Sequence, residues 1–202
     1  MERKATSKQR TLRLVQLAIL LALVIVLQQF GSSIKVGPTS FSLVLIPIAL
    51  GGMLLGPASG AFLGLVFGVI VLLAGITGQD GFTQILFQDH PFLTALTCLG
   101  KGAAAGFGAG LVYKLVASKN KIVAGFLAAA ATPIINTGLF ILCALLMSDT
   151  LTANFVADGT TVIYFLVIGC AGINFIVEFF VNLITAPALN MVVDVVTKRL
   201  RR

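Results

Sequence analysis

Apolar residues run along this chain in stretches too long and too unbroken for the one-sided pattern of a soluble helix or strand. A helix that crosses the hydrocarbon core of a bilayer needs roughly 20 mainly apolar residues. Stretches of this kind fall at 12–30, 40–55, 58–77, 92–115, 122–147 and 162–196. They predict an all-α membrane protein of six transmembrane helices, folded as a compact helical bundle and a single integral membrane domain over 1–202. The second stretch is short and ends at Gly51, Gly52 and Gly56-Pro57, which predicts a tight helical hairpin with the third. The last is longer than a span needs, and Pro187 predicts a kink or an exit into an interfacial tail. Between the stretches, 31–40 and 77–91 read as polar loops.

Composition removes the soluble alternative. Hydrophobic residues make up 58% of the chain and charged residues 10%, against about 45–50% and about 25% in soluble domains. The charge balance, 14 Lys+Arg against 7 Asp+Glu, then becomes a question of topology rather than of nucleic-acid binding. Arg3, Lys4, Lys8, Arg10 and Arg13 begin the chain, Lys114, Lys119 and Lys121 surround the fourth connection, and Lys198, Arg199, Arg201 and Arg202 end it. With six spans all three groups share one side, opposite Lys35, Asp80, Asp89, Asp149 and Asp158. The positive-inside rule places both termini in the cytoplasm, as expected of a multi-pass plasma-membrane protein. The first apolar run is too long for a signal-peptide core and no small-residue cleavage site closely follows it, so it reads as a retained helix. Cys98, Cys143 and Cys170 all fall inside spans and read as packing residues, with no disulfide and no metal site expected.

Small residues suggest how the helices meet. Gly56, Gly60, Gly64 and Gly68 recur every fourth residue on the third span, and Gly102, Gly106 and Gly110 on the fourth. Helices in lipid associate largely by close backbone approach, so both stripes are expected to pack within the chain. On the first span Ala18 and Ala22 lie one turn apart among bulky residues, a shallow notch in which a partner helix can settle.

Polar residues inside spans are costly and read first as functional. Thr94, Thr97, Cys98 and Lys101 share a face of the fourth span. Thr132, Asn136 and Thr137 lie on the fifth, and Asn174, Glu178 and Asn182, spaced by four, on the sixth. Lys101 lies roughly 14 Å from the outer end of its span and Asn136 about 16 Å from its own, at 1.5 Å per residue. One cation and two amides are thus expected at one level, as in a binding site open to the outside. A purely structural alternative pairs Lys101 with Glu178, and the two readings are compatible. His90, the only histidine, reads as a loop residue at the mouth of the fourth span.

No nucleotide-binding loop and no H-E-x-x-H metal motif is present, and no histidine inside a span accompanies Ser59 as a protease site would require. No catalytic residue, cofactor or nucleic-acid partner is expected. A stand-alone secondary transporter or channel using Glu178 as an ion site remains open.

The six-span layout, the basic start running into Ala18-x-x-x-Ala22, and the hairpin LVLIPIALGGMLLGPASGAFLGLVFG (Leu43–Gly68) resemble the substrate-binding S component of energy-coupling factor (ECF) vitamin transporters, and the resemblance covers nearly the whole chain. It implies a subunit that captures a vitamin and docks on a transmembrane T component driven by two cytoplasmic ATPases. It also implies toppling within the membrane to carry the site inward. Ala18 and Ala22 would form the docking surface, and Lys35, Thr39 and Ser40 would belong to the gating loop. Lys101, Asn136, Asn174, Thr97 and Glu178 would form the vitamin site. A buried cation with amides suits a small carboxylate bearing hydroxyl and amide groups. Pantothenate fits, and the chain resembles the pantothenate type; riboflavin follows, then pyridoxine and biotin.

Overall fold

The computed structural model describes residues 7–31, 35–36, 39–40 and 43–201. The first apolar stretch forms α1 (Ser7–Gly31), which turns Leu20, Val24 and Gln28, spaced by four, inward. Leu20 and Val24 join Val44, Leu45, Ile48, Leu63 and Phe67 in one apolar cluster. A two-residue antiparallel ribbon follows, β1 (Lys35–Val36) against β2 (Thr39–Ser40), with Lys35 opposite Ser40. The expected second span therefore begins later than its apolar content suggests, as α2 (Leu45–Leu55). Its 11 residues extend about 16 Å, half the roughly 30 Å of a hydrocarbon core. Five described helices are long and apolar enough to cross a membrane, and α2 is not one of them.

The position of α2 explains its composition. Leu45, Pro47, Ile48, Ala49, Gly51, Gly52 and Met53 are all buried. The helix touches α1 on one side, and on the others α3 (Pro57–Ile76), α5 (Pro91–Val116), α6 (Lys121–Leu145) and α9 (Gly172–Arg201). A helix that is apolar all round belongs at the centre of a bundle. The turn out of it rests on Gly56, whose φ of 100° is a conformation L side chains rarely adopt, with Pro57 at the first position of α3. Gly56 thus serves the turn, not the glycine stripe to which its spacing assigned it.

The remaining stripe glycines pack as expected, and against each other. Gly64 and Gly102 meet reciprocally, so that a Cβ on either would strike the other's carbonyl oxygen; Gly60 and Gly106 form a second such pair. Gly68 abuts the carbonyl of Cys98, and Gly110 lies so close to Pro57 that an added Cβ would sit 2.7 Å from its Cα. The α3–α5 seam is a contact of backbones.

The 77–91 connection, read as a loop, contains helix, and so does the connection after α6. Residues 81–89 form α4 (Gly81–Asp89), and α7 (Ser148–Asn154) follows α6. Each covers the same end of the bundle: Phe82 and Leu86 of α4 and Leu151 of α7 are buried with Ala144, Met147 and Leu166. Two polar contacts join them: His90 Nε2 lies 3.1 Å from Asp149 Oδ1, and the Thr150 hydroxyl donates to Asp89 Oδ2 at 2.8 Å. The last long stretch is interrupted near its start rather than at Pro187. A short α8 (Val162–Tyr164) passes into a π-helical turn, Phe165–Cys170, where the Ala171 N–H bonds to the Leu166 carbonyl at 2.8 Å. From Gly172 the helix continues through Pro187 to Arg201.

At the opposite end the basic groups gather. Arg10 and Arg13 of α1 lie against Leu55 and Ser59 at the α2–α3 turn. Lys121 at the start of α6 is 3.7 Å from Asp194 of α9, which Lys198 also meets at 2.6 Å. Asn120 caps α6, its side-chain oxygen accepting from the N–H groups of Ile122 and Val123 at 2.9 and 3.1 Å.

Candidate functional site

Three long helices carry isolated polar residues on otherwise apolar sequence, and the fold turns these residues toward one another. Lys101 of α5, Asn136 and Thr137 of α6, and Asn174 and Glu178 of α9 line a single cavity near the end covered by α4. The cavity volume is about 120 Å³. That is room for more than one water molecule, since a single water needs about 10–15 Å³. Asn136, Asn174 and Glu178 are buried and Lys101 is half-buried.

The chemistry at each position differs. The Lys101 ammonium lies 4.9 Å from the centroid of the Phe140 ring, a cation–π contact that leaves its N–H donors available. It makes no ion pair with Glu178; the ion pairs among the described residues are His90–Asp149, Lys121–Asp194 and Lys198–Asp194. The side-chain oxygen of Asn136 is buried without a hydrogen-bond partner among the described residues. Such an acceptor costs about 1–3 kcal/mol when left unsatisfied, and Asn136 is one of the residues of the cavity wall. Glu178 adds a carboxylate to the same wall.

Other polar residues of the three stripes serve their own helices. The Thr97 hydroxyl donates to the Leu93 carbonyl at 2.7 Å, and Thr97 is not part of the cavity wall. Thr132 donates to the Ala128 carbonyl at 2.8 Å, and the Asn182 side-chain N–H to the Glu178 carbonyl at 2.8 Å, while the Asn182 side-chain oxygen, outside the cavity wall, is buried without a partner among the described residues. Hydroxyls and amides satisfied one turn back in their own helix have less capacity left for a ligand.

Several cavity residues were not assigned to the site from the sequence, although Asp80 was placed on the outer side. Gln28 reaches the wall from α1, on the face marked by Leu20 and Val24. Asp80, at the start of α4, accepts from the Thr83 hydroxyl at 2.7 Å, and both residues line the cavity. Phe82 and Phe140, with ring centroids 6.0 Å apart, supply an aromatic wall. The spacing of Gln28 was a usable signal. Nothing local distinguishes these two phenylalanines from the other 13 of the 15. The π turn also acts here. It gives the chain one extra residue per turn just before Cys170, Ala171, Asn174 and Glu178 line the wall, while Leu166 packs toward α4 and α7. Single-turn π segments of this kind often occur at functional sites.

The candidate gating residues Lys35, Thr39 and Ser40 are described in their backbone only, as the β1–β2 ribbon; their side chains lie outside the described residues. On α1, Ala18 and Ala22 are exposed on the side away from buried Leu20 and Val24.

Long apolar helices around a small cavity that gathers their polar residues define a membrane-embedded protein of the multi-pass kind. The chain belongs to the family of ECF transporter substrate-specific components, whose sequence pattern it matches over residues 12–190. Members of this family are substrate-binding transport subunits rather than enzymes, and they work with a T component and ATPases. Comparison with curated proteins returned no match.

Proposed function

We propose that this chain captures a small carboxylate vitamin, with pantothenate the best fit, from outside the cell and delivers it by toppling after docking on the T component. The observation that carries this reading is the convergence of Lys101, Asn136 and Asn174 from three helices on one cavity. Lys101 supplies charge-assisted donors for the carboxylate. The orphan oxygen of Asn136 accepts from a ligand hydroxyl or amide, and Glu178 and Asp80 accept from further donors. In this reading Thr97 acts on the site through its helix, the 31–40 segment with Lys35, Thr39 and Ser40 gates it, and both termini are cytoplasmic. The six crossings count α2 as one of half length. Collection of the basic groups at the end away from the cavity supports this orientation.

The direct test is to purify the protein without added ligand and identify its bound small molecule by mass spectrometry. A carboxylate vitamin is expected. Riboflavin or a ligand with no acidic group would overturn the assignment. Uptake by vesicles containing this chain alone, driven by a proton gradient without ATP, would favour the secondary-transporter reading built on Glu178.

Docking has its own expected result. Trp at both Ala18 and Ala22 fills the exposed notch without entering the core. Copurification with the T component and the ATPases should fall at least about tenfold, the equivalent of about 1.4 kcal/mol. Vitamin binding by the isolated subunit should stay within about twofold of wild type, because surface substitutions usually cost less than 0.5 kcal/mol. Unchanged copurification would remove these alanines from the interface.

A further inference from the structure

The basic end of the bundle has a second depression, whose chemistry differs from that of the cavity. It lies between the first turns of α1 and the α2–α3 turn, with a volume of about 370 Å³. Arg10, Arg13, Leu14 and Leu17 line it from α1 at i, i+3, i+4 and i+7, and therefore share one face. Leu55, the last residue of α2, and Ser59, in the first turn of α3, close the other side. Both arginines are exposed, and neither is in an ion pair among the described residues. The first turn of α3 adds to the positive character. Its N-cap is Gly56, which has no side chain to accept from the free N–H groups of that turn.

We propose that this groove is a binding site for one anionic phospholipid. The phosphate is held by Arg10, Arg13 and the Ser59 hydroxyl, and an acyl chain lies along Leu14, Leu17 and Leu55. Guanidinium groups match phosphate oxygens in paired hydrogen bonds, which a uniform surface charge does not provide. Three leucines continuous with the charged pair favour an anion joined to hydrocarbon over free phosphate. The groove also lies where a long apolar helix begins, at Gln9, the depth at which headgroup and chain meet. Lys114 and Lys119 are exposed at the same end but line no such groove, so they provide the comparison. A lipid seated here bridges α1 to the α2–α3 hairpin beyond the contacts of Leu20 and Val24.

The test uses the full-length protein in neutral detergent, with retained lipid counted by native mass spectrometry. Phosphatidylglycerol and phosphatidylcholine of identical chains are added in turn. One phosphatidylglycerol per chain is expected to persist, at least about tenfold more tightly held than phosphatidylcholine. The double variant R10Q/R13Q should bind it roughly 30-fold more weakly, from the usual contribution of two near-surface arginines. K114Q/K119Q should stay within about twofold of wild type. Equal retention of the two lipids by wild type would overturn the proposal. Equal losses in the two double variants would replace it with diffuse attraction, and displacement by millimolar inorganic phosphate would replace it with a free-anion site. The wild-type lipid comparison and the phosphate competition decide the matter even if R10Q/R13Q does not fold.

Discussion

Replacing Lys101 with alanine is expected to weaken binding of the anionic vitamin by about 100-fold or more, while Lys121→Ala changes it by less than about twofold. Both lysines are cations of a strongly basic chain, but their positions differ. Lys101 lines the cavity with its ammonium over Phe140, whereas Lys121 is at the far end, 3.7 Å from Asp194. Truncating one partner of a desolvated charge pair costs about 2–5 kcal/mol, because the other charge is left without compensation. At 1.4 kcal/mol per tenfold, the middle of that range corresponds to roughly 100-fold or more. Lys101→Arg should recover part of the loss, since it keeps the charge but not the shape. The decisive measurement is a double-mutant cycle by titration calorimetry, with the vitamin and its alcohol analogue against wild type and Lys101→Ala. If Lys101 holds the carboxylate, the substitution should cost the alcohol much less than the acid. Equal costs would mean that Lys101 acts on the fold, or on another part of the ligand.

The second large effect concerns the α3–α5 seam. Gly64→Val should destabilise the folded bundle by about 3 kcal/mol or more, at or beyond the upper end of ordinary overpacking. The reason is geometric. A Cβ at Gly64 meets the backbone carbonyl of Gly102, and backbone within a helix cannot rotate aside as a side chain would. Gly100→Ala is the matched control, because nothing lies within 4 Å of an added Cβ there. That substitution should be neutral, or stabilising by up to about 1 kcal/mol through helix propensity. Apparent melting temperatures from size-exclusion chromatography after heating will separate the two. A Gly64→Val protein as heat-resistant as wild type would show that the seam tolerates separation of its helices.

Much of the fold was legible because a bilayer imposes a strict length and polarity rule on any helix that crosses it. Five long helices appear where unbroken apolar sequence called for them. Repeats of four placed the Gly60–Gly64–Gly68 and Gly102–Gly106–Gly110 faces, and Lys101, Asn136, Asn174 and Glu178 stood out because charge and amide are rare in such surroundings. The connections were less legible. In α4 and α7 the apolar residues that anchor the helix, Phe82, Leu86 and Leu151, are few and set among polar neighbours. The burial of Phe82 and Leu86 depends on residues such as Met147 and Leu166, distant in sequence.

By itself, then, the sequence determined a membrane-embedded helical protein, its small-residue seams and the polar residues that had to avoid lipid, since each follows from local composition and helical period. Only the tertiary structure decided which of those polar residues share a cavity. Thr97, Thr132 and Asn182 have the same spacing signals as their neighbours, yet each bonds back to its own helix. Rotation of the helices about their axes, set by the glycine seam, the π turn and burial of α2, determines which side chains point inward. That rotation is a property of packed neighbours, so no single stretch of sequence contains it.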